Sequence, residues 1–510
     1  MGLQDPTNTN TGGSHMVRRL HRNSTETLVN KEENKQQLAA RKISASTQYE
    51  TCSEPLSAFG GVLALIKFLD LIEFERVFEH CYIKPDRETQ LGHYRMVVGI
   101  VMLLFIGFNR IGHFCYIRFD ALLCRFFQVV CLPVVSTYWR YVDSLGINQG
   151  RSLVRVMSVM RERVWQECGL SYRQIGIAID TTVETVYGEQ QGARVGHNPR
   201  HRGKKGYRPI VAFIEQTREY IAGKLRTGKT VSGEETGKFI QQLSKQVPGC
   251  VKRVLVRADS EFFSWESVKE LVELRWDFII SAKSCNPPFA PQGWYRPLQA
   301  AAIEYNECVY APIGWQKEMR FVAMRMPKHT GTKGEAVQWE LFEDDRYTYR
   351  IFCTTRQGKP HTVIEEYDKR ADVENLIGEA KREGLAAIPS KKFKNNYAWF
   401  QLVMLSYNIW RYMKMLAEKS MAGQNHEKTD TPAPGFDTIR DNTIRIARLK
   451  LLYIAAKTPF HNNRTTVKYS VHDLRTPALM QLLNFLDAAR SKARAWLNGM
   501  WQCRFALNSS

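Results

Sequence analysis

The chain has 510 residues, too many for one ordinary core, so about two to four domains are expected. Its 72 Lys and Arg against 51 Asp and Glu leave a formal charge of +21, an excess that favours a polyanionic partner, most simply nucleic acid. A basic protein with no such partner is the plain alternative. The 44% apolar content is enough for globular folding, and 11 scattered cysteines with no C-x-x-C pair argue against a disulfide framework and for free thiols in a reducing compartment.

Residues 1–55 contain "GSHM" at 13–16, which looks like an expression-vector remnant ahead of a native start near Met16; the polar stretch that follows has no sustained apolar period. No secretory signal is visible. Residues 56–170 are expected to be a helical DNA-binding or dimerisation domain. The longest apolar run, Met96 to Phe108, is too short to span a bilayer and reads as a buried helix. Cys115, Cys124 and Cys131 match no common zinc spacing and read as small core residues. In "LPVVSTYWRYVDSLG", Pro133 ends one helix and Ser136 or Thr137 N-caps the next. That helix either presents Trp139, Arg140 and Tyr141 to a DNA groove, as in a helix-turn-helix, or is one arm of a plain helical hairpin.

From 171 to 284 the period changes to strand. "QIGIAID" and "RVLVRAD" are short apolar runs, each ending in an acid, Asp180 and Asp259. Between them lie "YRPIVAFIEQT" and "EYIAGKLRTG", expected to pair with each other, and a helix that Ser232 and Glu235 open as a capping box. A helix "SWESVKELVELR" and a strand "WDFIISAK" follow, so the order predicts α/β with a mixed sheet. Residues 285–356 look mainly β, an inserted or appended sheet. Helix returns at 362–384 and again at 395–418, a polar linker spans 420–436, and 437–510 read as a helical basic tail.

The helix "YDKRADVENLIGEAK", 367–381, is informative. At about 100° per residue, Tyr367, Arg370, Glu374 and Lys381 share a sector of about 60°, beside a stripe of Val373, Leu376, Ile377 and Ala380. Glu379 and Glu383 fall off that line. Alone, Arg370 and Glu374 are an i,i+4 pair worth roughly 0.3–0.5 kcal/mol. With Asp180 and Asp259, Glu374 becomes the third carboxylate of a group that would repel unless cations sat among them. Mg²⁺ answers that need with hard oxygen ligands and room for water and phosphate. Two such ions about 3.5–4 Å apart would activate a water or 3′-hydroxyl and stabilise the leaving oxygen.

Y-x2-R-x3-E-x6-K resembles the signature around the third catalytic acid of bacterial insertion-sequence DDE transposases. Residues 177–213, "VRADSEFF" at 256–263 and "FQLVMLSYNIWRYMK" at 400–414 look like the remaining landmarks of the subgroup called transposase DDE group 1, across about 56–470. The resemblance implies an α/β fold: an RNase H-like catalytic core in two parts, 171–284 and 357–419, with a β-rich insertion between the second Asp and the Glu, and helical N-terminal and C-terminal domains. It implies a cytoplasmic, nucleoid-associated bacterial enzyme, with no membrane. This enzyme would bind terminal inverted repeats in double-stranded DNA, cleave at the element ends and join the 3′ ends to target DNA as a homodimer in a synaptic complex. Asp180, Asp259 and Glu374 would hold two Mg²⁺ ions, with Mn²⁺ as substitute. Arg370 and Lys381 would contact phosphate or steady Glu374, and Tyr367 would pack or hydrogen-bond at the scissile region. Trp294, Trp315 and Trp339 either stack on an unpaired base or are core. Glu261 departs from the family, where glycine is commoner.

The loop 194–208, "RVGHNPRHRGKKGYR", holds Arg200, Arg202, Lys204, Lys205 and Arg208 and no acid, and reads as DNA-backbone binding. His197 and His201 suggest no third metal ligand. "GKLRTGKT", 223–230, satisfies the Walker A pattern, but the helix start predicted after Ser232 lies beyond its lysine and threonine, so a strand and turn fit better than a P-loop ATPase. The same residues also admit an RNase H-like nuclease without strand transfer, or an inactive DNA-binding remnant of a transposase.

Overall fold

The computed structural model describes residues 43–196, 198, 201–229, 232–297, 302–328, 346–422, 436 and 438–490. The chain divides into a unit ending at Glu54 and a unit from Pro55 onward. In the first, residues 43–54 are exposed, with a turn closed by Thr47 N to Ser44 O at 3.0 Å.

The second unit opens with helices α1 (Val62–Leu71), α2 (Phe74–Cys81), α3 (Gly92–Phe105), α4 (Val135–Ser144) and α5 (Ile147–Glu167). Every residue of α3 from Met96 onward is buried. Such a helix, apolar all round, can exist only inside a core. Among the described residues no helix is long and apolar enough to cross a membrane. Helix α4 begins at Val135 with Val134 as N-cap and no side-chain cap, so neither Ser136 nor Thr137 starts it. Tyr141, which the helix-turn-helix alternative presents to a groove, is buried, and its hydroxyl lies 3.4 Å from that of Tyr82. Trp139 and Arg140 remain exposed. Cys115 is also exposed rather than core, because it sits on the outer side of the short helix Phe114–Ile117, whose end residues are buried.

An eight-stranded sheet follows, made of β1 (Gln174–Thr181), β2 (Ile210–Ile214), β3 (Tyr220–Lys224), β4 (Arg253–Ala258), β5 (Asp277–Ser281), β6 (Glu304–Tyr310), β7 (Met319–Pro327) and β8 (Tyr347–Thr354). Its order is β6-β7-β8-β5-β4-β1-β2-β3. Within this sheet, among the described residues, only β1–β4 and β4–β5 pair in parallel. These central strands are continuous apolar runs because both faces are covered. The strands of 304–354 extend this same sheet, with β8 antiparallel to β5, rather than closing a sheet of their own. Helices α6 (Gly233–Ser244) and α7 (Trp265–Glu273) pack against each other beside β3 and β5.

The segment expected as one helix over 362–384 is broken. Helix α8 spans Pro360–Asp368, a 3₁₀ turn holds Lys369–Ala371, α9 spans Asp372–Ala380, and a π turn takes Lys381–Leu385. Helix α10 (Phe393–Met421) then runs through the middle of the unit, buried over nearly its whole length, against α5, α3 and β3. Its polar residues serve the sheet. Asn408 Oδ1 accepts from Tyr220 N and Nδ2 donates to Tyr220 O, both at 2.8 Å, and Gln401 Nε2 donates to Gly223 O at 3.0 Å. The tail is not helical throughout. Residues Ala456–Lys457 form a short strand between Leu56–Ser57 and Lys468–Tyr469, because the returning chain pairs there with the start of the unit.

Candidate acidic site at the sheet edge

Register builds the centre of the site. In the parallel pair β1–β4, Ile179 lies opposite Ala258, so the next residues, Asp180 and Asp259, leave the same edge of the sheet side by side. Neighbouring strands are about 4.8 Å apart, within reach of two carboxylates. The two side chains are close enough for the charge of Asp259 to act on Asp180. Thr181 N donates to Asp180 Oδ1 at 2.8 Å, and Glu261 N donates to Asp259 Oδ1 at 3.1 Å.

Burial is the main cause that raises the Asp180 carboxyl above its ordinary range; Arg370 opposes it, and the charge of Asp259 adds to it. Asp259 is raised by burial too, against the pull of Arg370, Lys283 and Arg208. Two half-buried acids of one sign at one strand edge are a costly arrangement unless positive charge is supplied.

The broken helical segment supplies part of it. Tyr367 is buried, and its hydroxyl points to Ala258 O at 3.4 Å. Its ring packs on Phe352 with centroids 4.5 Å apart. Arg370 Nη2 lies 3.1 Å from Asp180 Oδ1 and 3.4 Å from Ile179 O. Lys381 Nζ donates to Val183 O at 2.8 Å and lies 3.3 Å from Glu184 Oε1. Thus Tyr367, Arg370 and Lys381 meet the ends of β4 and β1 and the segment beyond, although the 3₁₀ turn advances about 120° per residue and spoils the single wheel. Glu374 is exposed in the first turn of α9, and its charge acts on Asp180 through space. Glu379 and Glu383, off that line, are buried on Arg411 and Arg448.

Among the described residues no three His, Cys, Asp or Glu side chains are gathered into a complete metal-ligand set. The donor chemistry at Asp180 and Asp259 nevertheless fits a hard divalent cation. Both offer carboxylate oxygens, they share one sheet edge, and their mutual repulsion is relieved by positive charge.

The basic loop folds back beside this edge. Glu184–Thr185, Arg194–Val195 and Lys205–Tyr207 form a small antiparallel sheet. A Cβ at Gly206 would meet Glu184 O at 2.9 Å, so this pairing needs glycine. Arg202, Lys204 and Lys205 are exposed, and Lys205 lies 3.3 Å from Glu189. His201 N donates to Asn198 Oδ1 at 3.1 Å. Arg200 and His197 lie outside the described residues. Arg208 differs from its neighbours: it is buried and its guanidinium pairs with Glu261. Arg140 stands on α4, bonded to Ser136 O and Thr137 Oγ1, both at 3.3 Å.

Trp315 packs on Phe263 and Trp265, at 5.1 and 5.6 Å, and Trp294 lies under Arg325 at 4.2 Å. Trp339 lies outside the described residues. The Walker-like stretch does not open a helix: Lys224 ends β3, and α6 starts at Gly233 after Ser232, whose Oγ accepts from Glu235 N at 3.3 Å. Glu235 turns instead to Arg226 and Lys224. Sequence reasoning passed over Lys283, which follows β5 at the same sheet edge and acts on Asp259. Its signal was present in "WDFIISAK", a strand that runs on into a lysine.

A family model described as transposase DDE domain group 1 matches residues 35–491, and the chain belongs to that family of transposases. Among solved structures, the chain is similar to a piggyBac transposase in a synaptic complex with hairpin DNA, at 10% identity and a TM-score of 0.39 over 84% of this chain and 85% of that one. A comparison with curated proteins gave no match.

Proposed function

We propose that this transposase cleaves double-stranded DNA at the terminal inverted repeats of an insertion sequence and joins the 3′ ends to target DNA, with Asp180, Asp259 and Glu374 as its catalytic carboxylates. The observation that carries this reading is the side-by-side exit of Asp180 and Asp259 from adjacent parallel strands. In open α/β sheets ligands bind outside the carboxyl ends of the strands. On this reading the sheet order around β1, with β2 and β3 antiparallel on one side and β4 and β5 parallel on the other, is an RNase H-like core. The strands β6–β8 are then its insertion, 285–356, and the helices of 56–170 and 437–510 its flanking domains.

Divalent ions, Mg²⁺ or Mn²⁺, supply nucleophile activation and charge neutralisation at the scissile phosphate when bound. Asp180 and Asp259 would hold them, with Glu374 brought in from α9. The protein's own part is positioning. Arg370, tied to Ile179 O, holds the Asp180 carboxylate in place. Tyr367 fixes the end of β4 through Ala258 O, and Lys381 fixes the chain after β1 through Val183 O. The exposed Arg202, Lys204 and Lys205, with Arg200 and Arg140, would lie along DNA phosphates, each lowering the salt tolerance of binding. Engagement of two ends calls for a homodimer, and a bacterial nucleoid is where its DNA would be met.

The test is incubation with end-bearing DNA and Mg²⁺ or Mn²⁺, beside Asp180→Ala and Glu374→Gln. Joined products from the unsubstituted protein alone are expected. Cleavage without joining would make it a nuclease, DNA shifted but never cut would make it a binding remnant, and activity that survives both substitutions would move the site elsewhere.

A further inference from the structure

One more carboxylate stands at this edge, and it does not join the aspartates. Glu261 rides on the 3₁₀ turn Ser260–Phe262 that follows Asp259. One of its oxygens pairs with the Arg208 guanidinium, and the other accepts from Thr181 Oγ1 at 3.0 Å. It therefore ties together the residue after Asp180, the turn after Asp259, and the arginine that leads into β2. Arg208 is only 8% exposed, and its Nε has no partner. A guanidinium keeps its charge at any ordinary pH. That charge already acts on both Asp180 and Asp259. Freed from Glu261, a half-satisfied buried arginine would turn to the two aspartates.

We propose that Glu261 is a positioning residue that holds Arg208 off the Asp180–Asp259 pair and so leaves those carboxylate oxygens open to a divalent cation. The proposal rests on the reading of that pair as the cation-holding group. Both oxygens of Glu261 are engaged, so it acts through Arg208 rather than as a ligand. Its short reach suits the task. The turn places it two residues beyond Asp259, too close to leave the edge and correctly placed to intercept the arginine that crosses from β2.

The experiment is titration of the full chain with Mn²⁺ alone, followed by electron paramagnetic resonance, with thermal melting recorded on every variant. The unsubstituted protein is expected to show a site that Asp180→Asn removes. Glu261→Gln should weaken that site by about tenfold or more, the size typical of losing a partner behind the ligands. Arg208→Gln added to Glu261→Gln should restore it to within about threefold, and Arg208→Gln alone should bind at least as tightly as the unsubstituted protein. A Glu261→Gln protein that binds normally overturns this proposal and leaves the reading of the aspartates intact. A double variant that stays weak while melting normally also overturns it, since Glu261 would then act directly. If no Mn²⁺ site depends on Asp180, both readings fall together.

Discussion

Two buried carboxylate–arginine groups in this molecule use the same chemistry and end in opposite states. At Glu219, fully buried between β2 and β3, every donor is internal. Arg161 Nε lies at 3.1 Å, Trp165 Nε1 at 2.7 Å, Thr217 Oγ1 at 2.8 Å and the Tyr412 hydroxyl at 2.7 Å. One acid meets four donors from α5, the hairpin and α10. At the edge of β1 and β4, two acids meet each other. The arginines around them are only partly used: Arg370 Nε and Arg208 Nε lack partners. A closed knot of this kind holds elements together, whereas an open one waits for something to complete it. The contrast separates a structural carboxylate from a candidate functional one better than burial does, since both groups are largely out of solvent.

The sharpest way to break the comparison is to remove one acid from each. Asp180→Asn should bring DNA cleavage down to the uncatalysed background, read on a denaturing gel, while urea unfolding shows a protein at least as stable as before. Relief of like-charge repulsion is the reason. Glu219→Ala should do the reverse. Leaving Arg161 as an uncompensated buried charge costs about 3–5 kcal/mol in urea unfolding. If Asp180→Asn unfolds the protein as readily as Glu219→Ala, the distinction between the two groups is lost.

A third test uses pH. The Asp180 and Asp259 carboxyls are raised above the ordinary value of 3.8 in the folded protein. A group raised on folding favours the folded state fully below its unfolded pKa, and that contribution is lost as pH rises through the folded pKa. Stability should therefore decline as pH climbs above the ordinary carboxylate range. A bound divalent ion should offset the loss by about 2.7 kcal/mol at a hundred times its Kd. Melting with and without Mn²⁺ should show the larger shift at pH 8 and little at pH 5. An equal shift at both would disconnect the effect from these acids. The smallest effect is expected at Lys381→Met, which strands Val183 O and the buried Glu184. A loss of about 1–2 kcal/mol in urea unfolding is expected, within the range for a buried acceptor left unpaired.

Much of the architecture could be read locally. "QIGIAID" and "RVLVRAD" announce apolar strands that end in acids, and they form β1 and β4. The run at 96–105 is a buried helix, and Val373, Leu376, Ile377 and Ala380 face the core. Local patterns failed where the backbone changed its pitch or a neighbour decided burial. The single wheel drawn through 367–381 missed the 3₁₀ turn at Lys369–Ala371, since nothing in "YDKRADVE" marks a tighter turn. The burial of Tyr141 beside Tyr82, far away in sequence, is not written in its own segment. Arg208 follows the exposed Arg202, Lys204 and Lys205 in sequence, and its burial and its contact with Glu261 set it apart.

By itself, the sequence determined that this is a basic α/β chain with acids at two strand ends, because period and composition act through near neighbours. The tertiary structure alone decided that those acids stand side by side, since parallel pairing of β1 with β4 is a long-range choice of register. It also decided which charges answer them. Arg370 and Lys283 reach the pair from segments on either side, while Arg208 is held back by Glu261. Coulomb forces depend on distance in space, and distance in space is what a one-dimensional pattern leaves open.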